Sequence, residues 1–249
     1  MGNDMSSFKC CAIIPTLNHY KALGDVIKGV RDQNLEIIII DDGSNAAAAA
    51  CIKAFHKPSE GIEVLRHDIN LGKGAALETG LARSLERGFT HALQIDADGQ
   101  HDLSDIAHLI EASISHPDDL VTAKPIYDSS MPLARKIGRW FTHVWVWVET
   151  LSFNISDSMC GFRVYPIQKT LELLGSENVG KRMDFDTSVM VRLYWRGVDV
   201  IEVPSNVIYP AENTSNFKVV ADNIRISIMH TRLVFGMLGR LITLRMRYR

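Results

Sequence analysis

The stretch HALQIDADGQHD, residues 91–102, ends an apolar run in Asp96, Asp98 and Asp102, with Gln100 among them. Carboxylates at this density repel one another, so their natural counterweight is a cation. Asp96 and Asp98 lie two apart, and a turn beyond a strand can aim both at one ion. Hard Mg2+ or Mn2+ takes oxygen ligands and leaves room for phosphate oxygens. Gln100 adds a neutral amide oxygen, and Gly99 lets the backbone turn. Asp96, Asp98 and Gln100 are therefore the candidate metal ligands, and Asp98 is also a candidate catalytic residue.

Three further stretches carry polar groups that could work beside such an ion. IIIIDDGSN (37–45) ends in carboxylates, and Asp42 there can accept hydrogen bonds from a nucleobase N–H or ribose hydroxyls. The same residues also fit a helix N-cap turn, with Asn45 as cap before the alanine run. NLGKGAALETG (70–80) lacks the G-x-x-x-x-G-K-[ST] spacing of a phosphate loop, and Leu77 stands where a dinucleotide fingerprint has its third glycine. A glycine-rich helix start still suits a phosphate, with Lys73 as the available cation. In CGFRVYP (160–166), Arg163 is a candidate anion ligand. In KRMDFDTSV (181–189), Asp184 and Asp186 precede a helix and either could be a general base, although carboxylates there also complement the helix dipole.

The elements that must position these groups are legible as alternating strands and helices. CCAIIP (10–15), EIIIID (36–41), IEVLR (62–66) and HALQID (91–96) lack polar alternation, as expected of strands covered on both faces. Helical stretches over 21–32, 46–56, 74–87 and 103–116 separate them. Strand–helix alternation predicts a parallel sheet with right-handed crossovers. The polar residues gather after the strands, where open parallel sheets bind ligands.

The second half changes character. A helix over 135–154 places Trp140, Val144, Trp147, Val148, Leu151 and Ile155 on one face, with Lys136, Arg139, Thr142, His143, Glu149 and Thr150 on the other. The segment 219–246 sets Arg225, Arg232 and Arg240, followed by Arg247, at one angular position among apolar residues. Basic, aromatic amphipathic helices suit a bilayer interface. Packing on the sheet is the plainer alternative. The reading divides the chain into 1–217 and a basic amphipathic helix over 218–249.

Bulk numbers narrow the field. With 249 residues, 46% hydrophobic and a net charge of −2, the chain is an ordinary globular protein for which charge predicts no nucleic-acid partner. Cys10, Cys11, Cys51 and Cys160 show no zinc spacing, so buried free thiols in a reducing compartment are expected. No secretory signal is visible, and MGNDMS matches a myristoylation pattern too loosely to carry weight. No stretch of ~18 uncharged apolar residues suggests a membrane span.

IIPTLN, IIIIDDGS, NLGKGAAL, IDADGQHD and CGFRVYP together resemble the family 2 glycosyltransferases of the GT-A fold, in order from about Cys10 to Pro210. The branch they most resemble is the dolichyl-phosphate mannose synthase-like, polyprenyl-phosphate glycosyltransferases. DADGQHD resembles that branch's DADLQHP, in which the two Asp and the Gln bind metal. The resemblance implies an α/β, Rossmann-like, mostly parallel sheet flanked by helices, with amphipathic interface helices in the second half. It implies Mg2+ or Mn2+ as cofactor, and a UDP- or GDP-sugar donor held by Pro15, Asn18, Asp42, Lys73 and Asp96. It further implies a lipid-linked acceptor met by Arg135 and Arg163, and an enzyme peripheral on the cytoplasmic face of a membrane. Two departures stand out: His19 where the family has Glu, and MDFDTSV where the branch often has F-x-x-E. A nucleotidyltransferase, or a non-catalytic membrane-surface module retaining the fold, is the rival reading.

Overall fold

The computed structural model describes residues 8–126, 133–206 and 219–247, the side chains of 133–137 and 242–247 excepted. MGNDMS lies outside them. Seven strands form one sheet among the described residues: β1 Cys10–Thr16, β2 Glu36–Asp42, β3 Ile62–His67, β4 His91–Gln94, β5 Leu120–Ile126, β6 Arg163–Pro166 and β7 Val200–Asn206. Their order is β3-β2-β1-β4-β6-β5-β7. All pairings are parallel except those of β6, which runs antiparallel to both β4 and β5.

The first strands carry apolar side chains on both faces because helices cover both. Ile13, Ile38 and Ile40 belong to one buried cluster, and Ile14, Ile37 and Ile39 to the other. Helices α1 Leu23–Asp32, α2 Ala46–Lys53, α3 Lys73–Glu86 and α4 Ile106–Ser115 supply the covering layers. Asn45 caps α2 as expected, its side chain accepting from the Ala48 N–H at 3.0 Å. The predicted helix over 103–116 begins as a 3-10 turn at Leu103–Asp105, where Asp102 accepts from the Ser104 N–H. The thiols divide: Cys11 and Cys160 are buried, while Cys51 on α2 is exposed.

The second half adds α5 Leu133–Thr150, α6 Ile167–Ser176, α7 Phe185–Trp195 and α8 Val219–Arg247. α5 turns its polar residues inward. Thr142, Val146 and Glu149, at helical spacing, are buried, and Glu149 is 0% exposed. Trp140, Phe141, Trp145, Val148 and Leu151 face outward, with Trp140 54% exposed. The inward Glu149 meets His230 of α8, Oε1 to Nδ1 at 2.7 Å, so the polar residues join the two helices. Met229 and Leu233 of α8 enter the core beside them.

Burial pushes the Glu149 carboxyl above its ordinary range, against the opposing pull of His230. The folded protein thus keeps a proton here that the unfolded chain sheds, and stability falls as pH rises from about 4.3 through the raised value. Glu149→Gln is expected to melt a few degrees above the wild-type protein at pH 8. The gap should close toward pH 4, as read by thermal denaturation across that range.

Candidate active site

The carboxyl ends of β1 to β4 all open on one edge, and the loops that follow them are tied together by buried side chains. Asp42 at the end of β2 is 4% exposed. Its Oδ1 accepts from the Leu71 N–H at 2.9 Å and meets His67 Nδ1 at 2.8 Å, while Oδ2 accepts from the Gly72 N–H at 2.8 Å. Asp41 accepts from the Ser44 N–H and pairs with Arg66. Asn18, with φ of 61°, accepts from the Asn45 N–H at 2.9 Å, and its own N–H donates to Ser44 Oγ at 2.8 Å. Asp42 and Asn18, expected as donor contacts, therefore shape the wall of the cleft with these atoms. Pro15 sits within β1, half-buried, paired in register with Ile40.

The reason for this tying is the entry to α3. Gly72 has φ of 106°, and a side chain there would lie 2.1 Å from the Lys181 carbonyl. The Gly74 N–H donates to that same carbonyl at 3.0 Å. Lys73, the first residue of α3, is thereby fixed over the end of β4. Its ammonium stands 2.9 Å from Asp96 Oδ1 and 3.2 Å from Oδ2, and 3.0 Å from Asp186 Oδ2.

Asp186 is thus brought to the site by the first turn of α7, whereas Asp184 is not. The Asp184 carboxylate turns back over Gly180 and accepts from the Arg182 N–H at 3.2 Å. Behind Asp186 lies a buried polar layer. Gln94 Nε2 donates to Asp186 Oδ1 at 3.4 Å, and the Tyr165 hydroxyl donates to Gln94 Oε1 at 3.1 Å. Arg163 is 0% exposed. Its two Nη atoms donate to the Asp186 carbonyl at 2.6 Å and the Ser158 carbonyl at 2.7 Å. Fully buried, Arg163 does not offer itself to an acceptor as expected: its Nη atoms brace two backbone carbonyls, which position α7 and the 156–162 loop, and the Tyr165 hydroxyl at 3.4 Å. The side chain of Arg135 lies outside the described residues.

Burial alone would drive Lys73 toward neutrality, but the Asp186 and Asp96 charges override it and raise its pKa. Burial likewise works against the Asp96 carboxylate, and the Lys73 charge, helped by His101, more than offsets it, so its pKa is lowered. Asp98 moves the other way. Burial and the charge of Asp96 both raise it, although its Oδ1 accepts from the Gln100 N–H at 3.1 Å and the His101 and Lys73 charges also pull it down. Asp96 and Asp98 together offer the oxygen donors that a divalent cation such as Mg2+ or Mn2+ takes. Among the described residues no group of three or more His, Cys, Asp and Glu able to hold a metal ion forms around them. An open set of this kind matches Mg2+ or Mn2+, which keep positions for water and phosphate oxygens.

Gly161 closes the site from above. A side chain there would lie 2.4 Å from Lys73 Nζ, 2.8 Å from Gln94 Nε2 and 3.1 Å from Asp96 Oδ2. His101 stacks on Phe162 with ring centroids 4.8 Å apart, its Nε2 3.9 Å from Asp96. Gln94, Tyr165, Gly161 and His101 were not singled out from sequence. The one available signal was Gln94, a polar residue inside an otherwise apolar buried strand.

Residues 11–171 match the family model of glycosyl transferase family 2. The UDP-N-acetylglucosamine–dolichyl-phosphate N-acetylglucosaminyltransferase of Methanococcus voltae is 27% identical over 214 residues, covering 79% of this chain and 84% of its own. The undecaprenyl-phosphate mannosyltransferase of Micrococcus luteus is 27% identical over 200 residues, covering 77% and 80%. Among solved structures, glucosyl-3-phosphoglycerate synthase from Mycobacterium tuberculosis, in complex with Mn2+ and UDP-glucose, superposes with a TM-score of 0.67 at 15% identity. That match covers 94% of this chain and 79% of the other. The expected GT-A architecture, a mostly parallel sheet flanked by helices, is thereby shared.

The wall residues generate a stability prediction. Asp42→Asn sets an amide N–H2 against a backbone N–H that now has a carboxylate partner. We expect a loss of roughly 1–3 kcal/mol in chemical denaturation, the ordinary cost of stranding a buried polar group.

Proposed function

Because the chain belongs to glycosyl transferase family 2, it is a glycosyltransferase, and we propose that it moves a sugar from a UDP- or GDP-linked donor to a polyprenyl phosphate or other lipid-linked acceptor, with inversion at the anomeric carbon. The observation that carries this reading is the pair Asp96 and Asp98 at the sheet edge, with Lys73 and Asp186 beside it. When bound there by Asp96, Asp98 and Gln100, Mg2+ or Mn2+ would draw off the negative charge that grows on the departing nucleoside diphosphate. Lys73 supplies a second positive charge to the same region. A unit-charge pair about 4 Å apart is worth about 4 kcal/mol at an effective dielectric near 20. Charge neutralisation of the leaving group is thus the large term in this reading.

The names of the Methanococcus and Micrococcus relatives support a lipid phosphate as acceptor. Such an acceptor is an anion at neutral pH and attacks without losing a proton; a hydroxyl acceptor needs a base, for which Asp186 is the better placed of the two candidates. The outward face of α5 and the exposed Ile224, Ile228, Phe235, Leu238 and Leu241 of α8 support a membrane-surface location. Arg232 is exposed on the same helix. Among the described residues no helix is long and apolar enough to cross a membrane. We propose that the enzyme lies flat against the cytoplasmic leaflet, with the exposed apolar residues of both helices at the headgroup boundary.

The test is a donor panel of UDP- and GDP-sugars, with and without Mn2+, against vesicles carrying polyprenyl phosphate. The expected result is metal-dependent release of nucleoside diphosphate and a product whose anomeric configuration, read by NMR, is opposite to the donor's. Asp98→Ala should lose at least 100-fold in turnover while keeping the circular dichroism of the parent. Replacing Asp184 and Asp186 together by Asn separates the acceptors: near-normal turnover indicates the phosphate, and abolished turnover with intact donor binding indicates a hydroxyl.

A further inference from the structure

Resting on the reading of Asp96 and Asp98 as metal ligands, we propose that Lys73 is a built-in competitor for the metal. Its ammonium occupies Asp96 in the metal-free protein, and gives way when a divalent cation binds.

The geometry is that of a counter-ion rather than of a waiting phosphate ligand. Nζ lies within 3.2 Å of both oxygens of Asp96, so the ammonium sits across the whole carboxylate. Its remaining contact goes to Asp186, a different carboxylate on a different helix. Lys73 retains 22% side-chain exposure, which leaves it a way outward. Gly161 forms the wall on another side, since even a methyl group there would stand 2.4 Å from Nζ. A metal therefore meets Asp96 already taken by the ammonium. Like charges packed around one carboxylate disfavour each other, so metal affinity in the absence of nucleotide is set by the Lys73 charge.

A second consequence concerns Asp186. One ammonium serves Asp96 and Asp186 together, so a cation arriving at Asp96 weakens the grip on Asp186 as well. Gln94 remains to support Asp186: its amide is held in turn by the Tyr165 hydroxyl and carries no charge to be repelled. Lys73 thus links donor-side loading to the state of the residue best placed to act on the acceptor. A lysine that only bound diphosphate would leave nucleotide-free metal affinity untouched.

Titration of the free Mn2+ electron paramagnetic resonance signal, without nucleotide, separates these roles. Lys73→Met should bind Mn2+ at least tenfold more tightly than the wild-type protein, and Mn2+ should raise its melting temperature by more. Equal or weaker binding overturns the proposal. Stripping the ammonium from two buried acids could prevent folding, so Lys73→Met with Asp186→Asn, which removes one charge of each sign, serves as the second variant. It too should bind Mn2+ more tightly than the parent, and unchanged affinity counts against the proposal. If Asp98→Ala binds Mn2+ as well as the wild-type protein, the metal reading itself fails and this inference falls with it. If Asp98 matters and Lys73 does not, only the inference falls.

Discussion

The structure turns on the meeting of Lys73 with Asp96 and Asp186. These three residues come from the start of α3, the end of β4 and the first turn of α7. Two ionised carboxylates at a half-buried sheet edge repel each other unless positive charge stands beside them. The surrounding devices follow from that need. Asp42 pins the loop that leads into α3, Gly72 lets that loop press against the Lys181 carbonyl, and Arg163 grips the backbone at Asp186. The core of stacked isoleucines supplies the rigid floor on which such small adjustments hold.

The two long helices of the second half show how a soluble-protein rule inverts. An amphipathic helix on a water-facing domain buries its apolar stripe. α5 instead buries Thr142 and Glu149 and leaves two tryptophans and a phenylalanine outside. The Glu149–His230 contact gives the polar residues a reason to point inward, because each satisfies an atom of the other. The outward apolar residues find no cover within the described residues, which is the arrangement expected if lipid rather than water is their solvent.

Much of this was legible in the sequence. The four apolar strands, the Asn45 cap and the placement of Asp96 and Asp98 past β4 are local matters, fixed by hydrophobic runs and turn chemistry. Lys73 was readable as a cation near phosphates, but its union with Asp186 depends on a helix far along the chain. Nor could pattern alone tell Asp184 from Asp186, since one turn of backbone sends the first over Gly180 and the second into the site. Arg163 misled for a related reason. An arginine at a strand start looks like a ligand for an anion, whereas here it is a brace for two carbonyls. Periodicity sorts the two faces of α5 but does not say which one packs inward, because a bilayer interface and the sheet would claim the same apolar stripe.

β6 runs backward between β4 and β5, so Arg163 at its beginning lies level with Gln94 at the end of β4. Every other strand delivers its trailing residues to the reactive edge; this one delivers its leading residues. The cleft is consequently assembled by two stretches of chain travelling in opposite senses, one contributed by the parallel half and one inserted from the front. Changes in length or composition ahead of β6 would reshape one bank of the cleft without shifting the register of the strands on the other. Such a layout lets one bank vary while the other keeps its shape.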